Sequence, residues 1–117
     1  IKKTTNKLIK KLKLKDIRNN IDNFEFDKAL TLIFQFIDDC NLYVHENKIW
    51  ESKDQKKLYE LIDSIRVVSI LLWPFIPESC EKIAKILDFK IASLNQIKEQ
   101  IEFKSIKKAE ILFKKLQ

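Results

Sequence analysis

Few side chains in this sequence are of a kind that does covalent chemistry, and their spacing keeps them apart. His45 is the single histidine, and it stands five residues from Cys40. Two metal ligands on one helix face sit three or four residues apart, so this pair is not a metal site and no second histidine exists to complete one. Asp38 and Asp39 are adjacent. On a helix they point about 100° apart, so they cannot act as an acid–base pair on one substrate. No Ser-His-Asp or Cys-His arrangement can be assembled around one mid-helix histidine with no strained turn to hold a nucleophile. Cys40 and Cys80, the two cysteines, form no CxxC pair and are too few for a disulfide scaffold. Both fall on apolar helix stripes, so buried reduced thiols are expected, in keeping with a cytoplasmic location. The sequence therefore predicts no catalytic residue and no metal ligand.

What remains is the chemistry of recognition. Ile49-Trp50 is an apolar pair stranded in a polar connection. An indole there is a platform on which an unpaired base can stack, an interaction worth about 1–3 kcal/mol. Stacking does not name the base. Polar groups near Trp50 would have to do so, and Glu46, Asn47 and, further back, Asn41 are candidates. The competing reading is that Trp50 caps the core at the corner between two helices, and that Asn41, on a buried face, satisfies a neighbouring backbone group. Trp73, beside Pro74 in the most apolar run, reads as packing.

Charge is loaded at the ends. The net charge is +6, yet residues 1–15 hold seven lysines and no acid, residues 98–117 carry +3, and the middle carries −4. Lys10, Lys11, Lys13 and Lys15, with Arg18, could hold a phosphate backbone or could simply form a solvated face. Arg66, alone among apolar neighbours, is expected to pair with an acid of the second helix.

The elements that would position these groups are helical. The 117 residues fit one domain, 1–117, and contain no glycine. A phosphate-binding loop and a dinucleotide fingerprint both require glycine, so both are excluded. The only two prolines are Pro74 and Pro77, and a chain this poor in breakers is predicted to be mostly helix. Apolar periodicity predicts helices over 4–22, 26–46, 54–72 and 77–88, and a short one over 93–101. Asp54 is a candidate N-cap and Pro77 a first helical residue. Ile83, Ile86 and Leu87 are the predicted inner face of the fourth helix, and burial all round is predicted for the third from Val67 onward. The fold class is all-α: an up-and-down bundle of four to five helices with a C-terminal tail packed back on it. No apolar run is long enough to span a bilayer, so no membrane partner is expected.

Four segments, in order, resemble one family. Asn41 to Trp50 is similar to the segment of methionyl-tRNA synthetases that reads approximately N-R-Y-x-x-E-x-K-P-W. Ile70 to Ile83 looks like that family's L-x-P-F-x-P-x-x-x-E-x-I junction. Phe24 to Leu30 and Ile106 to Phe113 match the start of the corresponding helix and the family's I-x-K-x-E-P-L-F ending. The resemblance covers nearly the whole chain, although related class I synthetases share part of the P-F-x-P pattern. It implies a helical domain that reads the CAU anticodon of methionine tRNA, with Trp50 carried over from the K-P-W segment. It also implies that the enzyme is a methionine–tRNA ligase whose catalytic domain, a partner in the same protein, uses ATP and in some members zinc. That domain and the first bundle helix would lie upstream, since the chain opens on Ile1 and reads as a fragment. The domain alone needs no cofactor. Leu42 departs from the family's Arg, Ile49 from its Pro, and Ala109 and Ile111 from its Gly or Pro. The Ile49 change removes the ring that would fix the backbone before Trp50. The alternatives are the anticodon-binding domain of an isoleucine, valine or leucine ligase, or a helical protein-interaction module derived from one.

Overall fold

The computed structural model describes residues 5–48, 54–99 and 101. In it the apolar stripes become four α-helices: α1 (Leu14–Asp22), α2 (Phe26–Asn47), α3 (Gln55–Leu72) and α4 (Pro77–Leu87). Two short 3-10 segments, Lys7–Lys11 and Leu94–Lys98, flank them. α3 is the axis of the assembly and packs on α2, on α4 and on both 3-10 segments, while α1 lies along α2.

Each helix begins and ends for a local reason. Asp54 caps α3, its carboxylate accepting from the backbone N–H groups of Lys56 and Lys57 at 3.0 and 3.3 Å, which satisfies two donors that have no intrahelical partner. Pro77 is the first residue of α4, where its missing N–H costs nothing and its fixed φ fits the helix. Ending a helix in a chain without glycine is harder. Phe24, Lys48 and Asp88 all adopt left-handed backbone angles, with φ of 59°, 44° and 62°. After α1 the backbone N–H of Phe24 donates to Ile21 O at 3.1 Å and that of Glu25 to Asn20 O at 2.7 Å. Phe24 thus fills the place a glycine takes in a Schellman ending. A bulky L-residue there stores about 1–2 kcal/mol of strain.

Three sequence expectations are corrected here. The predicted helix over 4–22 is broken: the 3-10 segment stops at Leu12, which is extended, before α1 starts at Leu14. Lys7, Lys10, Lys11 and Lys15 would fall three or four apart on a continuous helix and repel one another. The break also lets Leu8, Leu12 and Ile17 all reach the core. On α4 the inner face is Cys80, Ala84 and Leu87, and Ile86 is exposed, because it lies about 200° round from Ala84. On α3, burial does not wait for Val67. It runs from Tyr59 to Leu71, relieved only at Ile65 and Val68, because this helix has neighbours on every side.

That position buries polar groups as well, and they form a clasp. Arg66 is 1% exposed. Its Nε donates to Asp63 Oδ1 at 2.8 Å, its Nη1 to Gln96 O at 2.7 Å, and its Nη2 to Glu99 O at 2.8 Å and Ile97 O at 3.2 Å. The expected partner on the second helix is therefore replaced by an acid on its own helix, one turn away. The guanidinium also takes up the carbonyls of Ile97 and Glu99 and shares that of Gln96 with the Glu99 N–H, where the 3-10 segment Leu94–Lys98 ends. On the other side the Asn6 amide donates to Asp63 Oδ2 and to Ser64 Oγ, both at 3.0 Å. The carboxylate of Asp63 thus joins the two outer segments through the middle of α3. Within Leu94–Lys98, the Gln96 side chain accepts from Ala92 N–H and Ser93 N–H and donates to Lys90 O. The predicted helix over 93–101 shrinks to this turn, and the carbonyl of Ile101 accepts from the Tyr59 hydroxyl at 2.9 Å. The predicted tail, Phe103–Gln117, lies outside the described residues.

Trp73, read as packing, is 39% exposed, and its indole N–H donates to Glu81 Oε1 at 2.7 Å. The helical spacing of Phe26, Leu30, Ile33, Ile37, Cys40 and Val44 predicts one buried stripe on α2, yet Phe26 is 44% exposed. It sits instead between Phe24 and Phe75, edge-to-face with both at centroid distances of 6.1 and 5.9 Å.

Candidate nucleic-acid interface

Three of the recognition residues predicted from sequence, Asn41, Glu46 and Asn47, lie on the last two turns of α2. The side-chain amide of Asn47 donates to Tyr43 O at 2.9 Å, taking one of the carbonyls left open at the helix C-terminus. Lys48 then turns left-handed and directs the chain away. Residues 49–53 come next, so Trp50 lies outside the described residues. Asp54, the N-cap of α3, follows them.

Asn41 and Glu46 are exposed, and Asn47 is half-buried. The buried face expected for Asn41 is thus corrected: its amide is open to solvent. The three do not converge. Five residues of helix turn Asn41 and Glu46 about 140° apart, and the amide of Asn47 is already engaged by its own helix. Asn41 and Glu46 therefore offer polar groups on two sides of α2 and not around one point. The carbonyl end of a helix carries partial negative charge. It disfavours phosphate and offers acceptors to the amino edges of bases. Phosphates near this end would meet the exposed ammonium groups of Lys48 and Lys56.

Beneath this end lies a contact the sequence did not flag. The Tyr43 hydroxyl donates to Glu60 Oε2 at 3.4 Å, joining α2 to the buried flank of α3. Burial, then the Glu60 carboxylate, pushes the phenol up to about 12, so Tyr43 stays a donor. The available signal was one glutamate set between Leu58 and Leu61-Ile62 on an apolar face.

The basic residues are distributed differently from the sequence expectation. Lys10, Lys11, Lys13 and Lys15 are all exposed. Lys11 and Lys13, however, line an open groove with Leu32, Gln35, Asp38 and Asp39, so two carboxylates face two ammonium groups and little net field remains there. Arg18 is half-buried, and its Nη2 donates to Asn95 Oδ1 at 2.6 Å, which ties α1 to the C-terminal 3-10 segment. A second open groove, absent from the sequence reading, gathers Lys82, Lys85 and Lys90 around Phe89, with Glu81 and Asp88.

The two thiols are held away from covalent chemistry. Cys40 and Cys80 are buried and unpaired. Burial pushes the Cys40 thiol up to about 11 and raises that of Cys80, so neither is a thiolate at neutral pH. Among the described residues no group of three or more His, Cys, Asp or Glu side chains could hold a metal ion. No helix among them is long and apolar enough to cross a membrane.

Comparison with known proteins decides between families that share helical bundles. The family described as the anticodon-binding domain of tRNA ligase matches residues 3–116. The chain belongs to this family. Among its relatives is the methionine–tRNA ligase of Halalkalibacterium halodurans, 37% identical over 78 residues, which cover 60% of this chain and 12% of that protein. The methionine–tRNA ligase of Bacillus subtilis is 30% identical over 110 residues, 83% of this chain and 17% of that protein. That of Clostridium perfringens is 31% identical over 91 residues, 71% and 14% respectively. The anticodon-binding domain therefore spans 12–17% of the length of these three curated relatives. No solved structure matches it significantly.

Proposed function

We propose that the domain grips methionine tRNA by its CAU anticodon, as one part of a methionine–tRNA ligase. The single observation that carries this is the family match over 3–116 together with relatives named as methionine–tRNA ligases. The exposure of Asn41 and Glu46 on α2 supports it. Trp50 stacks on a splayed anticodon base, and Asn41, Glu46 and Asn47 supply hydrogen bonds along α2. Lys10, Lys11, Lys13 and Lys15, with Arg18, hold phosphates, and Lys10 and Lys15 contribute more than Lys11, Lys13 or the engaged Arg18. The ligase reaction, with ATP and zinc where the family uses them, belongs to a catalytic domain elsewhere in the same cytoplasmic protein.

Salt-titrated binding of methionine tRNA tests the reading, with a tRNA of swapped anticodon as control. Tighter binding of the CAU tRNA and a negative slope against log salt are expected. Equal affinity for both tRNAs removes the anticodon claim, and a flat salt response removes the phosphate claim.

A further inference from the structure

Two carboxylates are buried on α3, about one turn apart, and their surroundings differ. Asp63 is 3% exposed and is held by Arg66 at 2.8 Å and by Asn6 at 3.0 Å. Glu60 is 5% exposed. Among the described residues its carboxylate accepts one hydrogen bond, from the Tyr43 hydroxyl at 3.4 Å, longer than the roughly 2.5–3.0 Å usual between two oxygens. Neither of the ion pairs among those residues includes it. A carboxylate can accept about four hydrogen bonds, so one buried with a single long bond costs stability. Packing alone favours an apolar side chain at this place, between Leu58 and Leu61.

Tyr43 stands where that bond can act at a distance. It lies near the end of α2, and its ring packs against both apolar clusters of the core. The hydroxyl reaches across to α3, while the backbone carbonyl accepts from the Asn47 amide at 2.9 Å. Asn47 is the last residue of α2, and the left-handed Lys48 follows it. The exposed groups of Asn41 and Glu46 stand two residues before Tyr43 and three after it. Apolar contact is non-directional, so it does little to stop a helix rolling about its own axis. A roll of about 20° moves side-chain tips at a radius of about 5–6 Å by about 2 Å, enough to break a hydrogen bond. A directional bond from Tyr43 to α3 resists that roll.

We propose that Glu60 is a positioning residue for anticodon reading: through Tyr43 it fixes the roll of α2 on α3, and so the directions in which Asn41 and Glu46 meet the bases. Glu60 itself is shut beneath the helix end and touches no RNA. Its cost in stability marks the role, since an apolar residue at position 60 packs as well and leaves the end of α2 unaimed. The inference rests on the anticodon reading above and adds to it the residue that holds the reading groups in register.

The test measures, on the intact ligase chain, binding of methionine tRNA and of a tRNA with a swapped anticodon, together with thermal melting of the same preparations. Glu60→Leu should melt at the same temperature or higher, yet lose about tenfold of the preference for the CAU tRNA. Glu60→Gln still offers an oxygen to the Tyr43 hydroxyl and should keep that preference within about twofold. Tyr43→Phe should lose as much preference as Glu60→Leu, and the double variant no more than either, because the two residues act as one unit. A lower melting temperature for Glu60→Leu, a preference that survives it, or equal weakening toward both tRNAs overturns the proposal and leaves Glu60 a structural tether. Loss of preference in Glu60→Gln or additive losses in the double variant overturn it as well. The unaltered protein separates the two claims. No preference there removes the anticodon reading, whereas a normal preference that Glu60→Leu leaves intact removes this inference alone.

Discussion

The two ends of the bundle solve the same problem with different residues. A chain without glycine must still leave its helices through left-handed backbone. At one end it uses Phe24, and at the other Lys48 and Asp88. Aspartate tolerates that conformation better than most residues because its short polar side chain can bond locally, whereas phenylalanine has no such relief. Both ends carry strain, at Phe24 and at Lys48, and the first adds exposed rings and an acidic rim. The second carries amides, ammonium groups and the start of the segment that holds Trp50. The identity of a helix terminator thus fixes more than a turn, because it decides which chemistry is displayed where the chain reverses.

The largest test of this contrast strikes the frame that keeps the ends apart. Arg66→Ala leaves Asp63 buried without its ion pair and removes one hydrogen bond from each of three carbonyls, for an expected loss of about 3–5 kcal/mol in urea unfolding. Both ends should fail together, and a variant that keeps most of its stability would show that the clasp is not what joins them. Next in size, Trp50→Ala is expected to weaken methionine tRNA binding by about 1–3 kcal/mol with an unchanged melting temperature. Phe24→Ser should leave that binding within about twofold. Equal losses from the two variants would erase the distinction between the ends. Phe24→Gly should raise stability by about 1 kcal/mol by releasing the left-handed strain, measured as an upward shift of the denaturation midpoint. No gain would mean that the ring contacts with Phe26 compensate for the backbone.

A further effect is a pH dependence confined to the interior. The Cys40 thiol rises from 9.0 to about 11 on folding, first because of burial. The folded state therefore holds that proton more tightly. The stabilisation is fully present below pH 9 and fades as pH climbs through 11. Tyr43, raised from 10.0 to about 12, acts in the same direction over a higher window. Alkaline unfolding should be shallower for Cys40→Ala, and at pH 8 a thiol reagent should react with the cysteines only after unfolding.

Much of the frame was legible in the residues. Asp54 and Pro77 announced the starts of α3 and α4, because capping and proline geometry are local. The spacing of Phe26, Leu30, Ile33, Ile37, Cys40 and Val44 announced the face of α2 only roughly: Ile33 and Cys40 are buried with Ala29 and Phe36 beside them, whereas Phe26 is exposed. What failed depended on neighbours. Leu8 and Leu12 have helical spacing, and nothing local says that Asn6 will be held by Asp63 and Ser64. The partner of Arg66 could not be chosen by sequence either, since acids on two helices were within plausible reach. No phenylalanine signals a positive φ, so Phe24 gave no warning. At the candidate interface, the residue types along α2 were readable and their directions were not, as the engaged amide of Asn47 shows.

The clasp at Asp63 and Arg66 sets the shortest piece of this chain that can stand alone. A version trimmed past Asn6 strips a donor from a carboxylate shut away from water. One cut before Gln96 strips a buried guanidinium of its three carbonyl acceptors and leaves it Asp63 alone. Boundaries for excising the domain, or for grafting it onto another protein, must therefore fall outside residues 6–99, however dispensable the short outer turns look on their own.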